Sequence, residues 1–214
     1  MEYGKALELQ RQLVAERKQG LIPDQLLLLE HPHVITLGRN GHLDNLLADD
    51  QVLGSAGISF YPTDRGGDIT YHGPGQLVGY PILDLREWKR DVVAYVRAVE
   101  QAIIDTLAEY GIAAGRIPKL TGVWVDGRKI AAIGVHISRW VTSHGFALNV
   151  ATDLSYFHYI VPCGLTKPVT SMAECGVRAA TGEVAGSLAV HFGRVFECEV
   201  TPAESRRQAE SLPH

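Results

Sequence analysis

Three stretches of this chain carry residues whose types and spacing could do chemistry. The first runs Asp64-Arg65-Gly66-Gly67-Asp68-Ile69-Thr70-Tyr71-His72-Gly73-Pro74-Gly75-Gln76. Adjacent glycines let the backbone approach a ligand closely, and His72-Gly73-Pro74-Gly75 forces a tight turn. Arg65, Thr70, Tyr71 and His72 gather between apolar strands, which fits a binding loop and a pair of solvated hairpin turns equally well. A phosphate loop is excluded, because no G-x-x-x-x-G-K-[ST] occurs. The second is Lys129. Asp126-Gly127 predicts a two-residue hairpin turn that pairs Val125 with Arg128 and Trp124 with Lys129. Alternation then places Lys129 with Ala131, Ile133 and Val135 on an apolar strand face. There it either reaches water from the edge, the commoner case, or is partly desolvated, which favours the neutral amine and makes it usable as a base. The third is Cys163, between Pro162 and Gly164. That context predicts a loop open to substrate, with a neighbouring N–H available to an oxyanion. Taken alone it fits an inert, half-buried thiol as well, and that is the commoner case.

These residues need elements to hold them. Tyr3, Ala6, Leu7, Leu13 and Val14 recur at helical spacing, so residues 3–19 are expected as a surface helix. Strands are expected at 25–30, 34–37, 58–62, 68–72 and 77–85, separated by glycine and proline signals. Asp91 should cap a long helix running to Tyr110 and ended by Gly111. The hairpin 123–125 and 128–137 follows, then a short strand at 146–150, a helix at 184–196 and a strand-like 197–200. In that last strand Cys198 would alternate with Phe196 and Val200 and pack, and Cys175 also reads as a packing cysteine. Strands come in runs rather than in βα alternation, which predicts an α+β fold with a mixed or antiparallel sheet flanked by helices.

The 214 residues suffice for one domain over 1–214, with about 202–214 a polar, frayed tail. A formal charge of -4 argues against nucleic acid as the main partner. The three cysteines, with no C-x-x-C, make neither a disulfide framework nor a zinc site. On a strand His31 and His33 would share a face, but Pro32 between them and the lack of a neighbouring cysteine argue against a metal; none is expected. The charged beginning lacks the apolar core of a signal peptide, and no apolar stretch is long enough for a bilayer. A cytoplasmic protein with free thiols and no membrane partner is expected.

The segments together resemble the lipoyl(octanoyl) transferases, also called lipoate-protein ligase B. The resemblance rests on 65–67 through 70–77, on Lys129-Ile130-Ala131 through Gly134-Val135, on His144-Gly145-Phe146-Ala147-Leu148-Asn149 and on Pro162-Cys163-Gly164, in order and spacing from about Leu26 to Met172. Phe146 stands where members often have leucine, a conservative change in an apolar wall. The resemblance implies the fold of biotin and lipoate ligases and transfer of an octanoyl group from acyl carrier protein to a lysine of a lipoyl-carrier domain. The acceptors would be lipoyl domains of 2-oxoacid dehydrogenase E2 subunits and the glycine cleavage H protein. By the same carry-over Cys163 is the acyl-accepting nucleophile and Lys129 its partner. Arg65, Gly66, Gly67, Asp68, Ile69, Thr70, Tyr71 and His72, with Ala132, Ile133, Gly134, Gly145, Phe146 and Ala147, form the acyl-binding walls. No cofactor is implied.

The acyl slot is expected between the 65–72 loop and the Lys129 strand, with Gly134, Gly145 and Ala147 leaving room. At ~0.8 kcal/mol per methylene, burying an octanoyl chain contributes at most ~6 kcal/mol. Because acyl carrier proteins are acidic, Arg39, Arg65, Arg86, Lys89, Arg90 and Arg139 are candidates for a donor-docking surface. Three rivals remain: an ATP-dependent lipoate ligase on the same fold, a cysteine hydrolase pairing Cys163 with a histidine, and a non-enzymatic acyl-binding module. The ligase is opposed by Cys163 and His-Gly-Pro-Gly, and the hydrolase by the absence of hydrolase signatures.

Overall fold

The computed structural model describes residues 1–161 and 168–202. Its elements run α1 (Tyr3–Lys18), β1 (Gln25–Leu29), β2 (Val34–Leu37), a 3-10 turn (Leu43–Asn45), α2 (Asp50–Ser55), β3 (Ser59–Pro62), β4 (Ile69–His72), β5 (Gln76–Ile82), α3 (Val92–Glu109), β6 (Val123–Val125), β7 (Arg128–Ser138), β8 (Val141–Asn149), a second 3-10 turn (Leu154–Tyr159) and α4 (Thr181–Phe196). Five strands form an antiparallel sheet in the order β1-β5-β8-β7-β6. A smaller sheet, β3-β2-β4, pairs β2 parallel to β3 and antiparallel to β4. The α+β class with a mixed and antiparallel sheet pattern is borne out.

Side-chain alternation explains the layers. On β5, Leu77 faces the cluster that α3 and α4 build with Val99, Ile103, Leu107, Leu188 and Phe192. Its neighbours Val78 and Tyr80 face the other way, onto Ala6 of α1. Asp91 caps α3 by accepting from the Ala94 N–H at 2.9 Å. The Asp126-Gly127 turn gives the expected register, Val125 opposite Arg128 and Trp124 opposite Lys129.

Three expectations change. The short strand at 146–150 is the end of a nine-residue strand, β8. Its first half, Val141-Thr142-Ser143-His144-Gly145, hides the alternation because its polar groups find partners inside the protein. Helix α2, six residues long and capped by Asp49, is too brief to leave a periodic signal. The strand at 197–200 does not form. Glu197 adopts φ 55 and ends α4 in the left-handed conformation, and the Cys198 N–H closes the helix on the Gly193 carbonyl. Cys198 is therefore exposed rather than packed, whereas Cys175 is half-buried against the α3/α4 cluster.

Candidate active site

A cavity of about 370 Å³ opens between the Arg65–Gly67 loop and β7, within the range that takes a small ligand. Of the wall residues expected from the sequence, 65–70, His72, 132–134 and 145–147 all border it, with Lys129. Tyr71 does not. It points to the opposite side of β4, fully buried, with its hydroxyl on His33 Nδ1 at 2.7 Å and its ring stacked on Tyr156. The reason is strand alternation: Thr70 and His72 share one face, Tyr71 the other.

The roof loop lies directly on β7. The Gly66 N–H donates to the Val135 carbonyl at 2.8 Å. A Cβ at Gly134 would stand 2.6 Å from the Gly66 carbonyl oxygen, so glycine there lets roof and wall touch. Gly145 serves a similar end, since a Cβ would collide with the Gly79 carbonyl and Pro81 of β5. These glycines shape the walls through close backbone approach rather than by leaving open room.

A hydrogen-bond series then ties the two sheets together. Arg65, 8% exposed, donates from Nε and Nη2 to Thr36 Oγ1 at 3.2 and 2.9 Å, and from Nη2 to the Thr36 carbonyl at 2.7 Å. The Thr36 hydroxyl faces His72 Nε2 at 3.4 Å. His72 Nδ1 lies 2.8 Å from Gln76 Oε1, which can only accept, so the ring carries its proton on Nδ1. Gln76 Nε2 donates to Asn149 Oδ1 at 2.9 Å, and Asn149 Nδ2 to the Thr170 carbonyl at 2.9 Å. The Thr170 N–H returns to the Lys129 carbonyl at 2.9 Å. Burial, with the positive charge of His31 once acid protonates it and of Arg65, pushes the His72 imidazole down to about 3, so it stays neutral. The donations up to the Thr170 carbonyl run in one direction, from the roof towards the segment beside Lys129, and each polarises the next.

Lys129 is half-buried on the cavity, together with Ile133 and Val135, while Ala131 belongs to the core beneath. Its Nζ stands 4.8 Å from the Trp124 ring centroid, over a face that attracts an ammonium. Its backbone N–H donates to the Pro168 carbonyl at 2.9 Å. Cys163, with Pro162 and Gly164, lies outside the described residues. On either side of that segment the chain is fixed: the Val161 N–H donates to the Asn45 carbonyl at 2.8 Å, and 168–170 run beside Lys129.

Two further anchors were not legible as site residues. His144 holds φ 55 within β8, a conformation uncommon for a non-glycine residue. Its N–H is taken by Gln10 Oε1 of α1 and its Nε2 meets Asp64 Oδ1, both at 2.8 Å. Burial lowers its pKa, against the raising influence of Asp64. Fully buried Glu100 of α3 accepts from the Gly122 N–H at 3.0 Å, from Arg116 Nε at 2.8 Å and from Arg97 Nη1 at 2.6 Å. It thereby fixes the loop that brings Lys119, Leu120 and Thr121 to the cavity rim. Tyr3, Gln76 and Tyr80 also border the cavity. Tyr3 and Tyr80 carried only helix and strand periodicity in the sequence, while Gln76 and His144 lay inside the matching motifs.

Of the docking candidates, Arg65 is buried and Arg86 is spent on Asp84, at 2.8 Å from Nε to Oδ1. Arg39, Lys89, Arg90 and Arg139 are exposed. His31 uses both ring nitrogens, on the Met1 carbonyl and the Tyr80 hydroxyl, and His33 turns to Tyr71. Among the described residues no helix is long and apolar enough to cross a membrane.

The architecture is that of the lipoate protein ligases: it superposes with a TM-score of 0.74 on a bi-partite lipoate protein ligase from Thermoplasma acidophilum, at 16% identity over 94% of this chain and 85% of the other. A lipoate-protein ligase A bound with ATP gives a TM-score of 0.75, at 16% identity over 94% of this chain and 87% of that one. The chain belongs to the lipoyl protein ligase A/B catalytic domain family, whose pattern matches residues 2–193. Within it, the chain is 75% identical over 205 residues to an octanoyltransferase of Solibacter usitatus, covering 96% of this chain and 93% of that protein. It is 52% identical to one of Acidobacterium capsulatum, over 95% and 89% of the two chains. The resemblance seen in the sequence is borne out.

Proposed function

We propose that this chain is an octanoyltransferase. It takes an octanoyl group held as a thioester on acyl carrier protein and forms an amide with a lysine of a lipoyl-carrier domain, by way of a thioester on Cys163. The observation that carries the reading is the cavity between the Arg65–Gly67 loop and the Lys129 strand, in a chain whose close relatives are octanoyltransferases.

Each step balances without a nucleotide. The Cys163 thiolate attacks the donor carbonyl, the carrier thiolate leaves, and it takes its proton from the Lys129 ammonium, which becomes neutral. The acceptor amine then attacks the Cys163 thioester, an amide forms and the cysteine is released. Exchange between thioesters is near balance and aminolysis to an amide runs downhill. The ammonium form of Lys129 favours the thiolate, since an adjacent cation stabilises it. Its neutral form takes the proton of the incoming amine. Backbone N–H groups beside Cys163 would stabilise the oxyanion. The acceptors we assign are the lipoyl domains of 2-oxoacid dehydrogenase E2 subunits and the glycine cleavage H protein.

The test is an intact-mass spectrum after incubation with octanoyl-acyl carrier protein. One octanoyl mass should appear, be removed by hydroxylamine, be lost in Cys163→Ala and persist in Cys175→Ala and Cys198→Ala. An adduct that survives Cys163→Ala overturns the mechanism. A strict need for ATP or magnesium in the transfer would place the chain with the ligases instead.

A further inference from the structure

Burial orients the cavity. Gly67, Lys119 and Thr121 on its border are exposed, whereas Tyr3 is 3%, Tyr80 4% and His72 7% exposed. The first group is the mouth and the second the floor. Gly79, next to Tyr80 on β5, is level with Phe146 of β8 and Ile133 of β7, four residues along β7 from Lys129, so the floor is offset from Lys129 along the strands as well as across them.

The floor is a group of rings locked to one another. His31 Nδ1 lies 2.7 Å from the Met1 carbonyl, which can only accept, so Nδ1 carries the proton and Nε2 accepts from the Tyr80 hydroxyl at 2.8 Å. The Tyr3 ring lies parallel to His72 at 6.3 Å and within 5.2 Å of both His31 and Tyr61. Burial keeps the Tyr3 phenol protonated, pushed up to about 12. A wall of rings without charge accepts an apolar chain end, and rings fixed by hydrogen bonds do not yield to a longer one. Tyr80 is held by its strand and by His31. Tyr3 comes from the first turn of α1 and belongs to no strand ladder, so its side chain is the part of the floor that can change size alone.

We propose that Tyr3 sets the upper limit of acyl chain length by closing the floor of the cavity. This rests on the acyl-transfer reading above. Two measurements separate the readings. The first follows acyl-adduct formation on the full chain with hexanoyl, octanoyl, decanoyl and dodecanoyl thioesters of N-acetylcysteamine, by intact mass. The second measures binding of the corresponding free fatty acids by calorimetry, which needs no chemistry.

With the unaltered chain, preference should fall beyond octanoyl. Tyr3→Ala should raise the dodecanoyl-to-octanoyl ratio about tenfold or more, as burying two further methylenes would. Tyr3→Trp should shift preference towards hexanoyl. If Tyr3→Ala gives no cooperative melting transition, Tyr3→Leu and Tyr3→Trp decide in its place. Unchanged ratios in the folded variants, in both measurements, overturn the role of Tyr3. A fatty-acid preference that moves with Tyr3 while no adduct forms with any donor supports this floor and overturns the transfer reading instead.

Discussion

On one face of the five-stranded sheet, α3 and α4 press a continuous apolar cluster from Leu77 to Phe196. On the other, α1 and the small sheet meet it through smaller apolar clusters and the directed hydrogen bonds from Arg65 to Asn149. Apolar contact is non-directional and tolerates shifts that keep volume. Hydrogen bonds fix distance and angle, and each buried group left unpaired costs about 1–3 kcal/mol. The first face therefore supplies stability and the second supplies position. A cavity whose walls come from two sheets needs the second kind of support.

The sharpest test of that division is Lys129→Ala, because this half-buried side chain stands on the cavity wall itself. It should cut turnover by about a thousandfold, within the range for loss of a positioned acid–base, while the melting temperature stays within a few degrees. Lys129→Arg should not restore it, because guanidinium cannot give up its proton. Near-normal turnover in the arginine variant would remove the base role.

Leu107→Ala on the apolar face should cost about 2–5 kcal/mol in urea unfolding, with KM for an octanoyl donor unchanged. A large KM change there would show that the two faces are not separable.

Acid should act on the positioning face. His72, His31 and His144 are all held below the ordinary histidine value, chiefly by burial. The unfolded chain therefore binds protons that the folded one refuses. Stability is full above the unfolded value near 6.5 and falls as pH drops below it, by up to about 1.4 kcal/mol per pH unit for each such group. For His72 this continues to its folded value of about 3. Chemical unfolding between pH 7 and 5 should show the loss, and His72→Asn should flatten part of it. An identical slope in that variant would mean His72 is not the group responsible.

The smallest effect concerns the mouth. Arg39 is exposed, and its N–H donates to the Arg65 carbonyl of the roof loop at 2.9 Å. Arg39→Glu should raise KM a few-fold for octanoyl-acyl carrier protein and leave a small octanoyl thioester unaffected. Added salt should do the same, since exposed charges are screened within about 8 Å. Equal sensitivity of both donors would show that docking at the mouth is not electrostatic.

Local pattern was legible wherever it was strong. The Asp126-Gly127 hairpin, the α3 cap at Asp91 and the glycine-rich 65–75 stretch all stand where their spacing predicted. Misreadings arose where a distant partner changed the local outcome. Thr142 of β8 looks polar in the sequence because nothing local shows that its hydroxyl will donate to the Pro81 carbonyl at 2.7 Å. Residues 197–200 alternate like a strand, but among the described residues no strand pairs with them, and the end of α4 takes the N–H groups of Glu197 and Cys198 instead.

The secondary-structure periods, the fold class and the residue types at the cavity could be read from the chain alone, because these depend on neighbours within a few positions. It took the folded chain to show that Tyr71 turns away from the cavity while Tyr3, more than sixty positions earlier, borders it. The fold likewise shows that Gly134 is small because Gly66 rests upon it, and that Asp64, Gln10 and Glu100 hold the roof and rim. Contacts between segments far apart in the chain are set by which strands pair and which faces meet, and no local spacing records that choice.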